Sequence, residues 1–273
     1  MTVLNETYTL ANGIQIPKIG FGTWQIPNGD AAYDAVAAAL AAGYRHIDTA
    51  GAYGNEESVG RAIADSDVPR DQLFVTTKLR AEIKEYAPAV AAFEGSLADL
   101  GLDYVDLYLI HAPWPWSDAG SDHRAGNVEA WRSMEEHLES GRAKSIGVSN
   151  FNVADLESLR ASTKVTPHVN QIKFFVGNTQ PAITEYCQRE GILVEGYSPL
   201  ATGGILDNDE LAPIAEKYGV SVAQLCIRYL LEKDVLPLPK TTTPSRMAEN
   251  AAVDFDLAPD DIAQLDELQD TAA

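Results

Sequence analysis

Cysteine is scarce in this chain: Cys187 and Cys226 are the only two among 273 residues. They do not form a C-x-x-C pair, so the sequence offers neither a disulfide framework nor a thiol-based metal or redox motif. Both fall in helix-like segments and are expected to be small buried hydrophobes of a reduced, cytoplasmic protein. No apolar run approaches the roughly 18 residues of a membrane span, which argues against a membrane partner. The start "MTVLNETYTL" carries Glu6 and lacks a basic stretch followed by an apolar one, so no signal peptide is expected. Basic residues are few as well. Twenty Lys and Arg stand against 40 Asp and Glu, a net charge of −20. A field of that sign repels a phosphate backbone and argues against nucleic acid as a partner. A site for an anionic ligand would therefore have to concentrate the few cations available. The five histidines show no H-E-x-x-H or other ligand spacing, so no metal is expected. A Walker A loop and an early G-x-G-x-x-G are missing too. "AKSIG" begins with Ala143 and lies inside a strand, so it is no nucleophile elbow.

What the chain does contain is alternation. With 45% hydrophobic residues it can bury a sizeable core. Eight β-rich runs, "KIGFG", "YRHIDTA", "LFVTTKL", "YVDLYLIHA", "AKSIGVSN", "PHVNQIKF", "ILVEGYS" and "VLPLPK", are separated by helical patterns. "DAAYDAVAAALAAG", "APAVAAFEGSLADLG" and "NVEAWRSMEEHLESG" end at Gly43, Gly101 and Gly141, where left-handed C-caps are expected. Ser221 and Gln224 read as a capping box at the start of a later helix. Without a break in composition, this pattern predicts one (β/α)₈ TIM barrel domain over 1–273. A doubly wound sheet fits less well, given the count of eight and the missing glycine fingerprint. An Asn12-Gly13 turn marks a hairpin over 1–17, placed to plug the barrel bottom. Ile262, Leu265 and Leu268 mark a closing helix and tail over 259–273.

In such a barrel the chemistry sits at the C-terminal strand ends. Asp48 closes "YRHID" with Tyr53 in the loop beyond it, Lys78 closes "LFVTTK", and His111 closes "YVDLYLIH". Singly, each has a plain reading: a helix cap, a rim aromatic, a snorkelling lysine, a satisfied core histidine. On consecutive strands they would converge on one pocket, and there the set makes chemical sense. A phenol with an ordinary pKa of about 10 is a poor acid at neutral pH. A nearby ammonium stabilises its phenolate and lowers that value. A buried ammonium in turn needs a carboxylate. Asp48, Lys78 and Tyr53 thus read as a tuned proton donor. His111 is placed to donate a hydrogen bond to an oxygen gaining charge. Such a donor pair suits carbonyl reduction if a cofactor supplies hydride.

The segments "GYRHIDTAGAYGNEESVGRAI", "FVTTKL", "GLDYVDLYLIH", "SIGVSNF", "VNQI", "GYSPL" and "LPKTTTPSRMAEN" resemble the aldo-keto reductases in order and spacing. The resemblance covers about 20–268 and is closest to prokaryotic 2,5-diketo-gluconate or general aldehyde reductases. It implies Asp48, Tyr53, Lys78 and His111 as the catalytic tetrad. It also implies NADPH as cofactor, with NADH a weaker substitute. Ser149, Asn150 and Gln171 would hold the nicotinamide amide, Tyr197 would stack on the ring, and Ser198, Pro199 and Leu200 would approach the pyrophosphate. Lys240, Thr241 and Arg246 supply two cations and a hydroxyl where barrels often bind phosphate, which favours the 2′-phosphate of NADP. Glu249 and Asn250 match positions near the adenine. Trp24 matches a pocket aromatic, and with Tyr53, His111 and Trp114 it is expected to contact a small-molecule carbonyl substrate. A monomer is expected.

Departures from the family pattern bear on the pocket. "HAPWPW" puts Ala112 where relatives carry a bulky indole, leaving Trp114 and Trp116 to refill the space. Lys173, Phe175 and Val176 replace an acidic residue, a histidine and a proline after "VNQI". The end at Ala273 leaves no long C-terminal loop, so an open, permissive site is expected. Two other readings compete with a reductase. A cofactor-sensing subunit of low turnover is disfavoured by the complete tetrad. A Schiff-base aldolase using Lys78 is disfavoured by Asp48, which would keep that lysine charged.

Overall fold

The computed structural model describes residues 2–272, so the outermost residues of the two predicted decorations, 1 and 273, lie outside it. The core is a parallel sheet of eight strands, β3 (Phe21–Gly22), β4 (His46–Asp48), β5 (Phe74–Leu79), β6 (Val105–Ile110), β7 (Ala143–Ser149), β8 (Val169–Lys173), β9 (Leu193–Tyr197) and β10 (Val235–Leu238), paired in chain order. The backbone amides of Gly20 and Gly22 donate to the carbonyls of Pro237 and Pro239, at 3.1 Å each, and bring the first and last strands together. The result is the expected (β/α)₈ barrel. The ladders are shorter than the apolar runs that mark them; "KIGFG" contributes only Phe21 and Gly22. Strand residues alternate in direction. Phe74, Leu107, Leu109, Val169, Leu236 and Leu238 fill the lower interior. Tyr108, Ile110, Ile146, Val148 and Val194 belong to the separate layer between sheet and helices.

Helices α1 (Asp30–Ala41), α2 (Glu56–Ala64), α3 (Tyr86–Leu100), α4 (Arg124–Glu139), α5 (Val153–Ser162) and α6 (Pro181–Arg189) follow successive strands. Gly43, Gly101 and Gly141 adopt positive φ, at 99°, 63° and 74°, as the helix ends require. Two helices, α7 (Ala212–Tyr218) and α8 (Val222–Glu232), separate β9 from β10, and Ser221 with Gln224 forms the predicted capping box of α8. The segment after β10 carries α9 (Pro244–Ala251), and α10 (Pro259–Glu267) closes the chain with Leu265 buried. Among the described residues no helix is long and apolar enough to cross a membrane.

Strands β1 (Thr7–Thr9) and β2 (Gln15–Pro17) form the antiparallel hairpin expected around Asn12-Gly13. Leu10 and Ile16 pack into the lower barrel interior, and the Asn12 side-chain amide donates to the Lys144 carbonyl at 3.0 Å. One end of the barrel is thereby sealed with apolar side chains. The other end stays polar.

Candidate active site

Inward positions near the C-terminal strand ends exchange hydrocarbon for ionisable groups: Asp48 on β4, Lys78 on β5, Gln171 on β8 and Glu195 on β9, all buried. Lys78 Nζ donates to both Asp48 carboxylate oxygens, at 2.7 and 2.8 Å, and to the Thr49 carbonyl at 2.8 Å. Its remaining neighbour is the Tyr53 hydroxyl at 3.4 Å. Burial alone would lower the Lys78 pKa. The Asp48 charge and hydrogen bonds, with Tyr53 and Glu195 adding, hold its pKa above the usual value instead.

Tyr53 corrects one expectation. Its pKa lies above, not below, the ordinary phenol value, because burial outweighs the charge and hydrogen bond of Lys78 while Asp48 adds to the rise. Lys78 therefore moderates the acidity of Tyr53 without reversing the effect of burial. The Tyr53 ring meets His111 edge to face at 5.5 Å between centroids. Burial, aided by the Lys78 charge, pushes His111 down to about 3, so its imidazole is neutral at physiological pH. A neutral imidazole carries one N–H and can still donate one hydrogen bond.

This cluster forms the floor of a cavity of ≈ 920 Å³ at the polar mouth. Every residue predicted for the site lines it except Lys78, which lies beneath the floor, and Trp114. Trp114 instead packs edge-on against Trp116 at 5.1 Å, and Trp116 forms the wall, 5.6 Å from the His111 ring. Ala112 is fully buried, its carbonyl accepting a 2.7 Å hydrogen bond from Lys84 Nζ. The indole wall thus comes from further along the loop. Trp24 and Trp116 are 46% and 45% exposed; two such surfaces at a cavity mouth are what an apolar ligand would cover.

Along one side, β7, β8 and β9 deliver Ser149, Asn150, Gln171 and Tyr197 as an internally bonded group. Asn150, at φ 63°, donates to the His111 carbonyl and to Ser149 Oγ, both at 3.0 Å, and its Oδ1 accepts from the Tyr197 hydroxyl at 2.9 Å. Ser149 Oγ donates to the Gln171 carbonyl at 2.8 Å. The loop beyond β9, with Ser198, Pro199 and Leu200, continues through Ala201 and Thr202; φ is positive at Ser198, Ala201 and Thr202. Such non-glycine strain collects at functional sites. The far end holds Lys240 and Thr241 after β10, then Arg246, Glu249 and Asn250 on α9. Among the described residues, neither Lys240 nor Arg246 has an acidic partner within 4.0 Å. No trio of His, Cys, Asp or Glu close enough to hold a metal occurs there.

Some cavity residues had escaped the sequence reading. The Thr202–Gly203 turn, Leu206 and the start of α8 at Ser221–Ala223 all line the cavity. Glu195, buried beneath the cavity rather than lining it, had a clear signal: the alternation that turns Tyr197 inward also turns inward the residue two before it.

A parallel eight-stranded barrel with a cavity floored by ionisable groups at its C-terminal mouth is the architecture of a barrel enzyme. The aldo/keto reductase family model matches residues 18–270. Glyoxal reductase of Bacillus subtilis (strain 168) is 43% identical over 98% of this chain and 94% of its own length. The crystal structure of an aldo/keto reductase from Brucella melitensis superposes with a TM-score of 0.91 at 44% identity, covering 97% of this chain and 99% of that one. A Bombyx mori aldo-keto reductase in complex with NADP superposes at 0.89 with 35% identity, covering 98% and 94%. The chain belongs to the aldo/keto reductase family, and with it to the oxidoreductases.

Proposed function

We propose that this protein reduces small aldehydes and ketones to alcohols with NADPH, with Tyr53 as the proton donor. One observation carries the reading: a single buried ammonium, Lys78, is shared between the Asp48 carboxylate and the Tyr53 hydroxyl, and the Tyr53 ring lies against neutral His111. The residues present fit the cofactor. Gln171 lines the cavity with its nitrogen already committed elsewhere, leaving its amide oxygen for a carboxamide N–H. Tyr197 offers an aromatic face beside it. At the far end, Lys240 and Arg246 have no acidic partners among the described residues of a protein of net charge −20, which makes them a suitable pair for a 2′-phosphate.

A bound dihydronicotinamide would supply the hydride. The protein's own groups handle the oxygen. Tyr53 delivers its proton to the carbonyl oxygen as negative charge develops there. The phenolate left behind is stabilised by Lys78 Nζ, which Asp48 keeps charged. The His111 N–H, fixed beside Tyr53, donates to the same oxygen and orients the carbonyl. Trp24 and Trp116 exclude water from one side of the substrate, and Trp114 supports Trp116 from behind.

Glyoxal, the substrate in the name of the Bacillus relative, heads the compounds to try; simple and sugar-derived aldehydes and 2,5-diketo acids follow. The test is NADPH consumption with this panel, run beside the Tyr53→Phe variant and with NADH in place of NADPH. Turnover reduced about 10²- to 10⁴-fold in the variant is expected. Wild-type activity no higher than the variant's on every carbonyl would refute the reading and leave a cofactor-binding protein.

A further inference from the structure

Beneath the residues assigned above lies a buried acid that the reaction as derived does not use. Glu195, fully buried on β9, stands in register with Gln171 on β8. Gln171 Nε2 donates to Glu195 Oε2 at 2.7 Å and to Asp48 Oδ2 at 2.9 Å, so one amide nitrogen bridges two carboxyl groups. Turning that amide over would leave Glu195 Oε2 without its donor and set the amide oxygen against Asp48 Oδ2, which would keep Lys78 alone, and that is costly. The pair of carboxyls therefore keeps Nε2 inward and leaves Oε1 as the polar atom Gln171 offers to the cavity. Glu195 Oε1 has no hydrogen-bond partner of its own.

The charges around Glu195 do not balance if it ionises. Asp48 from β4 and Lys78 from β5 are the ionised groups that act on it. His46 on β4 and His111 just after β6 are pushed down to about 3 by burial and by Lys78, and so are neutral. Its register partners Gln171 and Leu236, on the strands to either side, carry no charge. The remaining ionisable neighbour of Lys78 is Tyr53. One ammonium thus faces two carboxyls. Burial first, and the Asp48 charge second, push Glu195 up to about 8, against the Gln171 hydrogen bond and Lys78.

We propose that Glu195 is a positioning residue of this reductase: through the Gln171 amide it orients Asp48 and the oxygen offered to the cofactor, and its protonation sets the net charge beneath Tyr53. The inference rests on Tyr53 being the proton donor. While Glu195 holds its proton, Lys78 acts on the phenol with only Asp48 opposing it. Once Glu195 ionises, a second negative charge offsets the ammonium, and the phenolate becomes harder to form.

The test is the pH dependence of kcat/KM for alcohol oxidation with NADP⁺, the direction that needs the phenolate. Glu195→Gln keeps the shape and an acceptor for Gln171 but cannot ionise, so its midpoint should fall by about one pH unit. A midpoint equal to that of the wild type means a packing role only and overturns the proposal. A second measurement does not depend on the variant folding. In wild-type protein labelled with ¹³C at the glutamate carboxyl, one resonance should titrate near pH 8. If no glutamate titrates above about pH 7, the proposal fails. Tyr53→Phe is run in parallel. If it keeps the wild-type profile, the Tyr53 reading itself fails; if it is inactive and Glu195→Gln shows no shift, only the role of Glu195 is removed.

Discussion

The Lys78–Asp48 pair allows a prediction that separates stability from chemistry. Both side chains are nearly inaccessible, at 0% and 5% exposure, and the ammonium makes two hydrogen bonds to the carboxylate and one to the Thr49 carbonyl. Lys78→Met keeps much of the volume and removes the charge. Asp48 would then keep only its Gln171 donor. Breaking a buried pair on one side typically costs about 3–5 kcal/mol, most of it from the charge left unpaired. Replacing both members is often close to neutral, so adding Asp48→Asn should recover about 2 kcal/mol or more of that loss. Urea denaturation of wild type, both single variants and the double variant closes the cycle. Activity should behave differently, with Lys78→Met and the double variant both reduced about 10²-fold or more. If Lys78→Met lies within about 1 kcal/mol of wild type, or Asp48→Asn rescues nothing, the two charges do not depend on one another as argued.

Arg246→Ala should weaken NADPH binding by about 10- to 100-fold, the worth of one charge-assisted contact, and leave NADH binding nearly unchanged. Fluorescence titration with both cofactors checks this, and equal losses would remove the 2′-phosphate assignment. Glu195 also makes a prediction for stability. Its carboxyl keeps its proton up to about pH 8 in the folded chain, whereas the unfolded chain releases it near the ordinary carboxylate value. Across that window the folded state binds the extra proton, so stability falls as pH rises, by up to about 1.4 kcal/mol per unit, and levels off beyond it. Urea midpoints at several pH values between 5 and 8 should show a shallower fall in Glu195→Gln than in wild type.

Much of the fold follows from alternation in the sequence. Period-two runs separated by helical patterns gave eight strands in chain order, and glycine at 43, 101 and 141 marked helix ends because it adopts the positive φ found there at little cost. The strand-end positions of Asp48, Lys78 and His111 follow from the same arithmetic, and adjacent pairing of β4, β5 and β6 brings them together. What alternation could not supply was the path of loops. Which of Trp114 and Trp116 faces the cavity depends on how Lys84 and Asn127 hold the carbonyls of Ala112 and Pro113, contacts reaching 14 to 28 residues along the chain. The second helix between β9 and β10 was hidden because "LAPIAEKYG" is only two turns long. Net acidity of Tyr53 was out of reach for another reason: the sequence names its charged neighbours but not the depth of its burial.

The chain of bonds from Tyr197 through Asn150 and Ser149 to Gln171 bears on how tightly each end of the coenzyme would be gripped. Both Asn150 amide hydrogens and the Ser149 hydroxyl hydrogen already have partners. An arriving carboxamide therefore largely swaps partners with groups already satisfied, and a swap of equals yields little net free energy. Under the proposed assignment, affinity would accumulate at the phosphate-bearing end, while the redox-active end would contribute alignment.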